Sequence, residues 1–471
     1  MPRLLFGPWE PDKPPFLSKG LQTASNVYAG SLGYRPVGRL TALTSALPSK
    51  PLGAASFVSP LGTTSILAGT SSSLYRSLPT GWSQIGTGYT LQNDARWRFA
   101  QFGGLAIATN GTDPMQKIDL ATFATANLGG SPPTTKILAV VKDFLVGGVI
   151  GGEVNTLQWS GINNAEFWTV GLEQSDFNIM PTGGEITGLF GGEVGIVLQR
   201  GRITRMTYVG DNLVFQFDEI SYNIGCVSPH SVVQSGQLGF FLSDNGFIMW
   251  DGANLKPIGQ ERVDRTFAAS YGRADWHNMS TAVDAKNSLV CWSMADRMFI
   301  YNWVLDRWSV IDQPAHIVFS GFSRDMTLEE VGALYGSLEL VPYSLDDDRF
   351  KGGNPMFYVF ANDDTMGTFS GSAMEATFGA GDVELSPGRD SRLNSVRPLT
   401  DATDGLSLVM GSRARLGDDL GAGSYSYLTD AGDMPVREAA RYIRPELTIA
   451  AGQPWTYAQG LDLTVAAGAR R

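Results

Sequence analysis

Apolar and polar positions along this chain alternate mostly with the period of a strand. In RFAQFGGLAIATNG, residues 98–111, Phe99 and Gln101 alternate before Gly103 and Gly104, and Leu105 and Ile107 alternate with Ala106 and Ala108 after them. A Gly-Gly pair between alternating runs predicts a hairpin, because both turn positions adopt positive φ without a Cβ clash. The figure recurs. Similar pairs begin GAASFVSPLGTTSILAGTSSSLYR at Gly53, KILAVVKDFLVGG at Lys136, EITGLFGGEVGIVLQRGRITRM at Glu185, HSVVQSGQLGFFLSDNGFIMWDG at His230 and NMSTAVDAKNSLVCWS at Asn278. The six turns centre near residues 61, 103, 142, 191, 235 and 286, spaced as propeller blades are, about 40 to 50 residues apart.

Each copy is followed by a second, more polar strand pair. These read LYRSLPTGWSQIG with Trp82, LQWSGINNAEFWTVG with Trp168, MTYVGDNLVFQFDEI, FIMWDGANLKPIG with Trp250, and FIYNWVLDRWSVI with Trp303 and Trp308. Two hairpins per repeat make a four-stranded blade whose inner pair is crowded towards the axis and whose outer pair shows one face to solvent. The aromatics are expected to pack between blades. The fold class is therefore all-β: a β-propeller of about six four-stranded blades with a small C-terminal β-sandwich-like domain.

The expected divisions are an N-terminal arm over 1–50 with a ring-closing strand near RLTALTSA, blades over 51–313, a helix-containing insertion with an acidic loop over 314–355, and a closing strand with a C-terminal β domain over 356–471. A divergent seventh blade, built from 314–370 or from the arm, is left open by this reading. In the insertion, TLEEVGAL (327–334) predicts a short helix, because the Thr327 hydroxyl and Glu330 carboxylate satisfy each other's backbone amides. The run Asp346 to Asp348 lacks the alternate spacing of a calcium loop. After Pro355, strand-like segments such as MFYVFANDDTMGTFSG and WTYAQGLDLTVAAG come at a shorter spacing that suits a sandwich.

Composition sharpens this picture. Glycine supplies 56 of the 471 residues, well above the average of about 7%, which favours turns over long helices. The net charge of −11 argues against a broad phosphate-binding surface, since counterion release needs clustered Lys and Arg. An acidic surface suits a wall past which DNA slides without sticking, and more commonly reads as plain solubility with no partner at all. The two cysteines, Cys226 and Cys291, form no disulfide framework or zinc pattern and are expected as buried thiols. MPRLLFGPWEPDKPP lacks the h-region of a secretion signal, and ILAVVKDFLVGGVIGG is broken by Lys142 and Asp143, so no membrane span is read and cytoplasmic synthesis is expected.

No phosphate loop, nucleophile elbow, HExxH or zinc-deaminase pattern occurs. The three histidines, His230, His277 and His316, sit in separate segments and read as structural or surface residues rather than bases or ligands. SDNGFIMWDG (243–252) resembles the Asp-box of sialidase-type propellers, SxDxGxTW, but Asp244 comes one position early and Met249 stands where the Thr belongs. Asn110 and Asn278 match glycosylation acceptors that nothing else supports. No catalytic, cofactor-binding or metal-ligating residue is expected, and the chain reads as a non-enzyme.

Six stretches carry a resemblance: PPFLSKGLQTASNVYAGSLGYRPVGRL, TTSILAGTSSSLYR, WRFAQFGG, LSDNGFIMWDG, SLDDDRFKGGNPMF and the closing RYIRPELTIAAGQPWTYAQGLDLTVAAGARR. In order and texture, over nearly its whole length, the chain resembles the tail hub or nozzle proteins of short-tailed phages, once described as stabilising packaged DNA. The resemblance implies a homohexameric ring below the portal and adaptor proteins in the virion tail, assembled in the host cytoplasm. It further implies docking sites for a tail needle or plug and for spikes or fibres, and a channel through which DNA passes without specific binding. The alternatives are another phage or gene-transfer-agent tail component, or a carbohydrate-binding or hydrolysing propeller.

Overall fold

The computed structural model describes residues 2–91, 95–210, 213–341, 343–347, 350–421 and 423–467. The molecule is a β-propeller fused to a β-sandwich. Blades 1 to 6 are antiparallel four-stranded sheets over 54–87, 98–127, 135–179, 186–221, 233–257 and 280–311, each numbered outward from the axis in chain order. These are the six repeats marked by the hairpin spacing. The second strand of each lies between two neighbouring blades and is buried on both faces, as in Leu289–Ser293 and Leu238–Ser243. An outermost strand such as Asp176–Ile179 alternates exposed and half-buried positions.

A seventh blade closes the ring. Its first three strands are Ile317–Phe322, Pro355–Phe360 and Met366–Ala373, and its outermost strand is Gly38–Ala42, from the other end of the chain. Leu40 stands opposite Phe369 and Thr41 opposite Thr368. The sequence period misses this blade because its strands come from two distant segments and a long insertion separates the first two. That insertion holds the helix Leu328–Tyr335, capped as its sequence indicates: the Thr327 amide donates to Glu330 Oε2 at 3.0 Å and the Glu330 amide to Thr327 Oγ1 at 3.3 Å. Asp346 pairs with Lys351 at 3.3 Å, whereas Asp348 and the terminal Arg470 and Arg471 lie outside the described residues.

Polar bonds cross every junction between blades. Phe322 N donates to Ser56 Oγ (3.1 Å) between blades 7 and 1, and Gln101 Nε2 to Val58 O (2.7 Å) between blades 1 and 2. Thr109 Oγ1 donates to Thr135 O (2.5 Å) between blades 2 and 3, and Lys142 N to Gly192 O (2.7 Å) between blades 3 and 4. Gln234 Nε2 donates to Gly191 O (2.8 Å), Thr281 Oγ1 to His230 O (2.8 Å) and Ser280 Oγ to Val318 O (3.0 Å) at the remaining three. Blade sides pack through apolar contacts, so these bonds fix register where dispersion alone leaves sliding cheap. The aromatics fill the same seams: Trp82 stacks on Phe360 at 5.6 Å, and Trp308 lies 5.5 Å from Trp292 and 5.1 Å from Phe247.

The N-terminal segment is spent on its own chain rather than held out as an arm. Leu21–Ser25 pairs in parallel with the outer strand of blade 6 (Ser25 opposite Val310) and antiparallel with Ala376–Ala380. It thereby splices blade 6 to Tyr442–Ile449, Leu406–Arg413 and Tyr425–Tyr427 in one ten-stranded sheet. The second sandwich sheet holds Arg3–Leu5, Val27–Gly30 and Gly33–Pro36 with Ala458–Ala467, Ser391–Thr400 and Met434–Ala440. Phe378, Leu408 and Leu447 from one sheet meet Leu393, Val396 and Leu461 from the other in a core continuous with Phe247, Trp292 and Trp308 of the propeller. Phe6 stacks on Phe378 within that core, with ring centroids 4.8 Å apart.

Candidate functional site

Each inner strand runs the same way along the axis, so the segments entering inner strands and the turns joining second to third strands gather at one mouth of the propeller. There they enclose a cavity of about 760 Å³. Arg96 and Arg98 come from the entry to blade 2, Lys136 from blade 3, Arg200 from the second turn of blade 4, and Arg273 from the segment before blade 6. Against these five cations the lining contains one carboxylate among the described residues, Glu185. The propeller axis of an acidic chain is thus locally basic.

Arg98 reaches from blade 2 across the axis to blade 5. Its Nη2 donates to Pro229 O at 2.7 Å and lies 3.0 Å from His230 Nδ1. Burial lowers the pKa of this guanidinium from the ordinary arginine value, with the nearby Cys226 sulfur acting the other way. Arg96 donates to His277 O at 3.4 Å and Asn278 O at 2.9 Å, tying blade 2 to the entry of blade 6. Arg96, Arg98 and His230 also line a second cavity of about 270 Å³ between blades 1, 5, 6 and 7, so this bridge divides the central space into two lobes. Lys136 and Arg200 make no side-chain hydrogen bond or ion pair among the described residues.

Two of the three histidines, His230 and His277, are brought to the cavity; His316 stands apart, its Nε2 3.3 Å from Asp364 Oδ1. Asp244 of the Asp-box-like stretch sits in a blade 5 turn and is ion-paired with Arg273, which also lies over the Trp276 ring at 5.7 Å. Of the paired carboxylates that glycoside hydrolysis needs, the described lining residues supply Glu185 alone. Cys226 and Cys291 are buried free thiols, and burial raises the pKa of both. Among the described residues no three His, Cys, Asp or Glu side chains gather as a metal site, and no helix is long and apolar enough to cross a membrane. Asn110 is buried, its Oδ1 accepting from the amides of Thr112 and Asp113 as a turn device.

No protein-family model matches the chain, and no curated protein does. Among solved structures it is similar to the extracellular domain of the BT4673 one-component system from B. thetaiotaomicron, with 10% identity and a TM-score of 0.42, covering 84% of this chain and 46% of that one. It is also similar to a chain of a mitotic checkpoint complex, with 9% identity and a TM-score of 0.41, covering 72% of this chain and 96% of that one. A computationally designed protein matches with 10% identity and a TM-score of 0.37, covering 69% of this chain and 98% of that one. The chain spans under half the length of the B. thetaiotaomicron domain, and at these TM-scores the likeness carries nothing about function.

The basic cavity is the feature that the sequence reading did not pick out. Its cations come from separate loops, each carrying one or two, and none forms a local motif. A signal was nonetheless present: Arg98 and Lys136 both stand at the entries to successive inner strands, one residue out of register with each other. Superposing the repeats by hairpin turn places both at one mouth of the ring.

Proposed function

We propose that this chain is a structural virion protein, a phage tail nozzle or hub protomer that assembles as a homohexamer and extends the DNA channel below the portal and adaptor. The observation that carries this reading is the ten-stranded sheet running unbroken from blade 6 into the sandwich, which makes the two modules one stiff body. A closed ring of heterologous contacts needs such a body, because flexibility between two contacting faces lets the rotation drift and the ring fail to close. Exposed apolar side chains supply contact surface at both ends of it. Phe177 and Ile179 stand on the outer strand of blade 3, and Tyr425 and Tyr427 lie stacked on the sandwich's edge strand.

Arg98 spans the protomer's own axis, so the conduit in this proposal is the lumen between protomers, and needle, spike and fibre proteins dock on the ring's outer faces. Negative-stain imaging with mass measurement of the purified full chain tests the reading. Sixfold rings with the mass of six chains are expected; a stable monomer that binds glycans overturns it in favour of a carbohydrate-recognising propeller.

A further inference from the structure

We infer that the axial cavity binds a small oxyanion carrying at least two negative charges, a phosphate chain or a polycarboxylate, held by Lys136 and Arg200 over the Arg98 bridge. Three observations converge on it. Among the described residues the cavity gathers five cationic side chains and a single carboxylate within a chain of net charge −11, so the cluster is local and does not reflect a basic protein. Like charges facing one open-mouthed cleft repel one another, Lys136 and Arg200 from solvent-exposed positions, and an oxyanion entering it relieves that repulsion while accepting charge-assisted hydrogen bonds.

The second observation separates holding the fold from holding a ligand. Arg96 and Arg98 bond to backbone carbonyls across the axis, and Arg273 pairs with Asp244, so these three have structural work. Lys136 and Arg200 have no hydrogen-bonding or ionic partner among the described residues, yet both line the same space. Their charges are unspent on the fold.

The third is size and shape. About 760 Å³ lies in the range of small-ligand sites and is far too small for a duplex. Gly151 and Gly152, with φ of 55° and 96°, form part of the rim, and a Cβ at either would meet nothing within 4 Å, so that side of the mouth is open for entry. Trp276 forms an aromatic wall on another side. The inference concerns the axis of one protomer and does not depend on the ring.

The test is calorimetric titration of the full chain with sodium tripolyphosphate and, separately, with trisodium citrate, repeated on the K136Q/R200Q double variant. One equivalent of at least one anion is expected to bind, and the arm that binds more tightly identifies phosphate or carboxylate as the preferred chemistry. Because charge-assisted hydrogen bonds are lost, affinity should fall at least about tenfold in the variant. The variant's melting temperature without ligand should stay unchanged, since neither side chain holds the fold. The inference is overturned if neither anion binds or if the variant binds as tightly as the parent.

Discussion

The side-chain amide of Gln234 holds the backbone of Gly191 by both of its polar groups: Nε2 donates to the Gly191 carbonyl at 2.8 Å, and Oε1 accepts the Gly191 amide at 3.0 Å. The same Nε2 reaches its own turn at Gly236 O, 2.9 Å away. Gln101 repeats the arrangement one half-ring earlier. Its Nε2 donates to Val58 O at 2.7 Å and to Gly103 O at 3.2 Å, and its Oε1 accepts from Val58 N at 3.4 Å. In each case a glutamine two residues before a positive-φ glycine clips the inner hairpin of one blade to that of the blade before it. This clip lies at the opposite end of the axis from the basic cavity.

Removing the clip should loosen one junction without unfolding the ring. Both glutamines are exposed at the surface, so Gln234→Ala should lower stability by about 1 kcal/mol, the net worth of hydrogen bonds that water partly replaces. Gln101→Ala should cost a similar amount. The two sites share no partner, and the double variant should be additive within about 0.5 kcal/mol in denaturant melts.

A larger effect is expected at Asp382. Its side chain is wholly buried in the sandwich and is paired with Arg413 and, by two bonds of 3.1 and 3.0 Å, with Arg444. Replacing Asp382 by Ala strands two guanidinium groups that are themselves mostly buried. The expected loss is about 3 to 5 kcal/mol, read as a fall in the denaturant midpoint with unchanged slope.

The N-terminal segment should prove as structural as any blade. Phe6 is 3% exposed and stacked on Phe378, and Tyr34 donates its hydroxyl to Gly7 O at 2.8 Å beside it. Truncating Phe6 to Ala leaves a cavity between the sandwich sheets and should cost about 3 to 5 kcal/mol in the same measurement. A loss below about 1 kcal/mol, the scale of a surface change, is the outcome at odds with a segment integral to the fold.

These effects mark the limits of reading the chain by pattern. Blades 1 to 6 were legible because the hairpin that starts each one is contiguous, apolar and turned by glycine or a short polar pair. Blade 7 was legible only in pieces: 314–370 and a ring-closing strand near RLTALTSA both stand as candidates for it, but their pairing, Leu40 opposite Phe369, is a relation between the two ends of the chain that no local period records. The segment 1–50 read as a weakly patterned arm for a related reason: its strands are three to five residues long and serve three different sheets, so each shows too few positions to alternate. Helix Leu328–Tyr335 was legible to its first turn, since a capping box is decided within four residues. The cavity was hidden because its chemistry exists only once separate loops share a mouth.

Acid–base behaviour should expose one further contact that sequence alone conceals. Asp264 opens the short helix Asp264–Ser270, with its carboxylate pressed between Gly246 and Gly259, where any Cβ would collide with it. Burial pushes this carboxyl up to about 6; a hydrogen bond donated by the Phe247 amide at 3.2 Å pulls it down, and the nearby Asp12 carboxylate raises it further. An unfolded aspartate titrates near pH 3.9. Between roughly pH 4 and 6 the folded chain therefore keeps a proton that the unfolded chain has released, so this group's contribution to stability falls as pH rises through that window and stays low above it. With partial solvent screening, the deficit above pH 6 should be about 2 kcal/mol. Asp264→Asn keeps an acceptor for Phe247 N but carries no charge. Urea melts of both proteins at pH 4, 6 and 8 should give matching midpoints at pH 4 and a more stable variant at pH 8; a variant that is less stable at pH 8 shows that the ionised carboxylate is a net stabiliser of the helix start.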